Sequence, residues 1–410
     1  MPVSPLLVGK HIAMVVRQFS PHGGLELYAH KLIEGLLASN LKVTVICEEN
    51  KSEFKHHNLQ ILTYGEMERP GTDGLARDER FRYAFRNSKI LLQRHKGEFD
   101  LIHSQHLPCP EPDVVTFHNH SVKRLSSVGE TWEKLLNESK IALAKRYKAR
   151  NTFDKYLMDN ALCRIFVSKV MQEDYYQVFG ADEQDPYVIA YPGASTNADY
   201  STITPIEESE FTFVFTGRGF RKKGLDILFR ACQILKKQGQ KFKLLVTGVR
   251  DRLELKIRAK WLGIEDHVEF LGFVHDIENI YARAKVLVLP SRVEPFGMVP
   301  VQAMQLGLVP IVSRACGVSE ILKHNEDSLI LEDHLDPSEL ASLMRTLMFD
   351  DQLRIKLSNN ARLAVKNINW QNTLDATLEA YEKALSTPRK TPVAAVAMAD
   401  YARGFDESES

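Results

Sequence analysis

Two short stretches hold the residue types that could do chemistry. Glu294-Pro-Phe-Gly-Met-Val-Pro-Val-Gln302 follows the apolar run Val286–Pro290 and sets a carboxylate and a carboxamide eight positions apart. A helix starting at Pro295 or soon after would put both groups on nearby faces of its first turns. The unpaired N–H groups of its amino end would be open to an anion. Gly217-Arg-Gly-Phe-Arg-Lys-Lys-Gly224 follows a second apolar run, Phe211–Thr216, and sets Arg218 and Lys223 in the turn beyond it. An arginine fork and a lysine point charge suit phosphate oxygens, and a carboxylate accepts from hydroxyls. The combination fits a nucleotide diphosphate-sugar and the charge that grows on a departing diphosphate.

Other glycine motifs are excluded by spacing. Gly219 is followed by four residues before Gly224, so the dinucleotide fingerprint is not met, and Leu225-Asp226 stand where a P-loop needs Lys-Ser/Thr. Gly23-Gly24 lies between the first expected strand and helix, where glycines let a backbone approach a ligand closely; such a turn is as often purely structural. No Asp-x-Asp pair occurs anywhere, so a carboxylate-held metal has no candidate, and nothing points to a bound metal or other cofactor.

The elements that must position these residues are legible as alternating strands and helices. Strands are expected at 11–16, 41–46, 99–103, 114–118, 163–168 and 187–192, and again at 211–216, 243–247, 268–271, 286–290, 309–312 and 328–331. Helical spacing fills the gaps, as in Leu25, Tyr28, Ala29, Leu32, Ile33 and Leu36. Continuous apolar strands separated by helices predict an α/β fold of two doubly wound Rossmann-like domains facing a central cleft. The domains are expected at 1–194 and 195–369, with a polar linker over 194–210. A closing helix at about 370–386 should rejoin the first domain, and 387–410 reads as a flexible tail.

Composition narrows the function classes. With 53 basic and 53 acidic residues, the chain lacks the global basic field of a nucleic-acid protein. Five scattered cysteines, never in C-x-x-C spacing, suggest a reduced, cytoplasmic protein. No signal peptide is apparent at the amino end, and no apolar run approaches the ~20 residues a spanning helix needs. Any membrane contact must then be peripheral.

These residues resemble glycosyltransferase family 4, whose members are retaining, metal-independent transferases of two Rossmann-like domains, the GT-B fold. The resemblance runs from about residue 10 to 386. It rests on Gly217-Arg218 with Lys223-Gly224, Glu294-x-Phe-Gly with a polar residue at 302, and Gly23-Gly24. Phe99-Asp-Leu-Ile-His103, Thr116-Phe-His118, Pro192-Gly193 and Asn369-Trp370 add to it. It implies that Arg218 and Lys223 hold the diphosphate and that Glu294 accepts from sugar hydroxyls. The N–H groups of Phe296, Gly297 and Met298 would lie near sugar or phosphate, with Gly217 beside them, and His118 near the sugar's reacting face. Phe220–Gly224, Ala315-Cys-Gly317 and a cationic helix over 133–157 are similar to glucosyltransferases that extend the lipopolysaccharide core. That helix could rest on an anionic membrane.

The chain departs from the family pattern at Gln302, where Glu usually binds the nucleotide ribose; an amide must donate where a carboxylate only accepts, weakening binding by ~1 kcal/mol. Asn119 and Ser195 stand where Asp is commoner, and Glu326-Asp327-Ser328 replaces a usual glycine. The expected activity is hexose transfer from a nucleotide diphosphate-sugar, UDP-sugar favoured, to a glycan or glycolipid hydroxyl, at the inner face of the cytoplasmic membrane. An epimerase or glycan phosphorylase of like architecture, or a non-catalytic sugar-nucleotide binder, are the alternatives. An NAD-dependent oxidoreductase fits least, for want of a G-x-G-x-x-G turn.

Overall fold

Runs of Val, Ile, Leu and Phe buried on both faces build two wholly parallel sheets, each wrapped by helices. The computed structural model describes residues 4–65, 77–126, 129, 131–180, 184–194, 210–249, 252–274 and 276–389. The first sheet contains β1 (His11–Phe19), β2 (Lys42–Asn50), β3 (Leu59–Thr63), β4 (Leu101–Ser104), β5 (Val114–Phe117), β6 (Cys163–Phe166) and β7 (Tyr187–Ile189), in the order β3-β2-β1-β4-β5-β6-β7. The second contains β8 (Phe211–Thr216), β9 (Phe242–Thr247), β10 (Val268–Gly272), β11 (Val286–Leu289), β12 (Val309–Ser313) and β13 (Leu329–Leu331), in the order β10-β9-β8-β11-β12-β13. Both orders reverse beside their first strand, between β1 and β4 and between β8 and β11. Ligands of doubly wound sheets bind at that place, beyond the carboxyl ends of the strands.

Two compact units result, one holding the chain up to Gly193 apart from the short stretch 128–131, together with the segment from Trp370, the other holding Ala194–Asn369 and that stretch. The helix Trp370–Ser386 is built into the first unit through specific contacts. Gly35 has no Cβ to collide with Leu374, which would lie 2.9 Å from one. Thr373 Oγ1 donates to the Tyr191 carbonyl at 2.7 Å and accepts from Gly193 N–H at 2.9 Å. Tyr381, fully buried, bonds His103 Nδ1 at 2.8 Å.

The structure amends several expectations. β3, an edge strand whose residues are only partly covered, was not anticipated, because Leu59-Gln-Ile-Leu-Thr63 lacks the continuous apolar run of its neighbours. The single cationic helix over 133–157 is two helices, Thr131–Leu143 and Lys145–Asn160, parted where Ala144 turns extended; nothing in the sequence explains the break. The helix after β11 starts at Met298, so Glu294 belongs to the preceding loop and not to its first turn. Nearly all of the linker over 194–210, with Ser195, and the tail beyond Arg389 fall outside the described residues.

Candidate active site

In the second unit, the loops leaving β8 and β11 are forced into contact by one glycine. Gly224 has φ +74°, and a Cβ there would lie 1.9 Å from the Pro290 carbonyl oxygen, so only glycine lets the two loops touch. Arg292 then bolts them together. Its backbone N–H donates to the Lys222 carbonyl at 2.9 Å, and its guanidinium grips both Asp226 oxygens at 2.7 Å and also reaches the Arg221 carbonyl. Arg292 is buried, so this bidentate pair works at reduced dielectric.

The loop after β11 is fixed from its other side by Ala315–Val318. Glu294 forms a parallel bridge with Cys316; its carbonyl accepts from Gly317 N–H at 3.0 Å, and the Phe296 carbonyl accepts from Val318 N–H at 2.7 Å. Gly317 makes this approach feasible, because a Cβ there would lie 2.2 Å from the Pro295 oxygen. Held from both sides, the Glu294 carboxylate accepts from the Lys223 ammonium. Their side chains are 14% and 17% exposed, covered yet reachable from solvent. Gly217 faces the stem of Lys223, a Cβ there being 3.2 Å from Cγ. Gly297, at φ +102°, caps the helix Met298–Gln305 without a side chain, leaving its amino end free of any carboxylate or hydroxyl cap. Phe296 is buried beneath this turn, and Gln302 is half-buried on the helix.

Gly217, Lys223, Glu294, Phe296, Gly297 and Met298 therefore meet on the two loops the sequence pointed to, residues up to 81 positions apart. Arg218, on the same turn, is exposed, and its guanidinium lies over the Phe273 ring at 5.6 Å. Cys316, against Glu294, is buried; burial first and the Glu294 charge second push its thiol up to about 11, so it is a neutral thiol and no nucleophile at neutral pH. Among the described residues no group of three or more His, Cys, Asp or Glu could hold a metal ion.

Comparison with known proteins matches residues 22–197 to the model of Glycosyltransferase Family 4 and residues 197–364 to that of Glycosyl transferases group 1. The chain carries a Glycosyltransferase Family 4 domain followed by a Glycosyl transferases group 1 domain. It is 25% identical to the uncharacterized glycosyltransferase MJ1607 of Methanocaldococcus jannaschii, over 91% of this chain and 98% of that one. Among solved structures it is similar to WaaG, a glycosyltransferase involved in lipopolysaccharide biosynthesis (17% identity, TM-score 0.72, 90% and 98% of the two chains). Another is Anabaena Alr3699/HepE in complex with UDP-glucose (18% identity, TM-score 0.63, 91% and 99%). Both share the GT-B fold seen here.

The transferase's other anticipated residues stand in the first unit. Gly23, at φ +115°, and Gly24 open the helix Gly24–Ala38, but Glu26 already faces that amino end: a Cβ on Gly23 would lie 2.4 Å from its carboxylate, which also pairs with Arg17 at 3.3 Å. His118 ends β5. Its Nε2–H donates to Gln105 Oε1 at 2.7 Å, its backbone N–H donates to His106 Nδ1 at 3.1 Å, and the Tyr28 ring meets it edge-on at 4.7 Å. Burial, then the neighbouring His106 and His103, hold it well below the usual histidine range, so the ring is neutral with Nδ1 unprotonated. His106 pairs with Asp154 at 3.0 Å and His120 with Asp174 at 2.9 Å, both as buried structural contacts. Sequence reasoning missed Arg292, Asp226 and Gln105. Arg292, a charge just past a wholly apolar strand, was the one signal available.

Proposed function

We propose that the enzyme transfers a hexose from a UDP-sugar to a hydroxyl of a glycan or glycolipid acceptor, with retention and without a metal. The observation that carries this reading is the Lys223–Glu294 pair beside the uncapped amino end of the helix Met298–Gln305. One ammonium and several N–H groups receive the diphosphate, and the adjacent carboxylate receives sugar hydroxyls. In the reaction the sugar C1–O bond to the diphosphate breaks while the acceptor oxygen bonds C1 from the same face. The acceptor proton passes to the diphosphate oxygen that leaves. Lys223 and Arg218 neutralise the charge gathering there, and His118, as a neutral imidazole, contacts the sugar. The UDP assignment draws support from a chain of like fold, Alr3699/HepE, which is in complex with UDP-glucose.

We place the reaction in lipopolysaccharide or other cell-surface polysaccharide synthesis, at the inner face of the cytoplasmic membrane. Exposed Leu135, Leu136 and Leu143 beside the exposed cations Lys134, Arg146 and Lys148 support a peripheral membrane contact. No helix among the described residues is long and apolar enough to cross a membrane. A thermal-shift screen of UDP-, GDP- and ADP-sugars, followed by a hydrolysis assay with the strongest stabiliser, tests the donor. Stabilisation by a UDP-sugar well above the others is expected; no stabilisation by any of them would overturn the reading.

A further inference from the structure

The helix Arg252–Trp261 of the second unit is apolar on the side it should not be. Leu255 and Ala259 face the core, 1% and 0% exposed. On the opposite face, at the four-residue spacing that lines up side chains, Leu253, Ile257 and Trp261 are 73%, 60% and 84% exposed. Lys256 and Lys260, both exposed, flank this stripe. The helix carries Arg252, Lys256, Arg258 and Lys260 against one carboxylate, Glu254, and that carboxylate is taken up by Arg258 at 2.8 and 3.0 Å.

We propose that this face is a docking surface for an anionic lipid bilayer, with Trp261, Ile257 and Leu253 entering the headgroup–acyl boundary and Lys256 and Lys260 meeting lipid phosphates. An exposed tryptophan at the end of an apolar stripe with flanking lysines has the make-up of an interfacial helix. Other occupants fit less well. Three side chains fall far short of the ~800 Å² per partner of a stable protein interface. In a two-fold contact with a second copy, the lysine rim would face itself. The surface is formed by a different helix from the 131–143 segment and is independent of the donor assignment. It does have a mechanical link to the donor loops, because Arg258 of the same helix lies over the Phe220 ring of the 217–224 turn at 5.2 Å.

The test is sedimentation of the full chain with phosphatidylcholine vesicles containing phosphatidylglycerol, against phosphatidylcholine alone. Binding to the anionic vesicles should fall about tenfold in Ile257→Ser/Trp261→Ser and in Lys256→Glu/Lys260→Glu, and should weaken with salt. Tryptophan emission should shift to the blue on anionic vesicles, and Trp261→Phe should remove most of that shift. The altered residues are exposed, so circular dichroism and the donor thermal shift should be unchanged, which separates this inference from the proposed activity. Undiminished vesicle binding by Ile257→Ser/Trp261→Ser overturns it, including the case in which Leu135→Ser/Leu136→Ser alone abolishes binding. A concentration-dependent dimer lost in Trp261→Ser, without vesicle binding, overturns it in favour of a second copy.

Discussion

Lys223→Ala is the most direct perturbation of the proposed donor site. A phosphate oxygen about 4 Å from the ammonium, at an effective dielectric of about 20, gains about 4 kcal/mol. In the unliganded protein that ammonium is already held by Glu294, and it must give up much of that contact to take the phosphate. The net gain is then that of one charge-assisted hydrogen bond, about 1.5–3 kcal/mol, or about 10- to 100-fold in donor Kd. Turnover should fall further, about 100- to 1,000-fold, because charge on the leaving diphosphate grows toward the transition state. The same competition yields a second expectation of opposite sign. Glu294→Ala frees Lys223, so UDP alone should bind as tightly as before or tighter, while the intact UDP-sugar loses the hydroxyl acceptor and binds more weakly. Titration calorimetry with UDP and UDP-glucose, and single-turnover transfer, measure both. Donor affinity within twofold of wild type and near-normal turnover in Lys223→Ala would refute the assignment.

Other consequences are as concrete. Arg292→Ala strips Asp226 and the Arg221 carbonyl of a buried partner and should destabilise the second unit by about 3 kcal/mol, seen in urea unfolding, with donor affinity falling as the loops part. Gly224→Ala should prevent stable folding of that unit, since the new Cβ would collide with the Pro290 oxygen at a left-handed φ; a melting temperature near wild type would contradict this. Gln302→Glu should tighten donor binding by ~1 kcal/mol, about fivefold, if ribose hydroxyls are what residue 302 reads; calorimetry decides it. His103 is pushed down to about 3 by burial and His118 well below its usual range, so the unfolded chain binds more protons than the folded one below about pH 6.5. Stability should therefore drop as pH falls, by about 1.6 kcal/mol from His103 between pH 6.5 and 5, with His118 adding to the loss in the same direction. His118→Gln should flatten that slope in urea titrations.

The strands and the two chemical loops were legible because continuous apolar runs can form little else, and because Lys223 and Glu294 each follow such a run. What escaped notice depends on contacts distant in sequence. The pairing of Arg292 with Asp226 spans 66 positions, and nothing local marks Asp226 as its partner. Gln105 acquires its meaning only when β4 and β5 lie side by side and bring His118 to it. The helix starts soon after Pro295, at Met298, but Glu294 stays outside its first turn because the bridge to Cys316 holds it in the preceding loop. β3 and the break at Ala144 were illegible for the opposite reason, their local patterns being too weak to declare either.

The return of the last helix bears on how the chain is made. Thr373, Leu374 and Tyr381 complete the core that Gly35, Tyr191 and His103 begin, yet the ribosome delivers them only after all of Ala194–Asn369. The first-synthesised unit must wait, its last helix missing, while the later one emerges and can close on its own. During translation the order of completion is thus inverted. A nascent chain halted before Trp370 would leave the imidazole of His103 without its phenol partner and Leu374's seat on Gly35 empty.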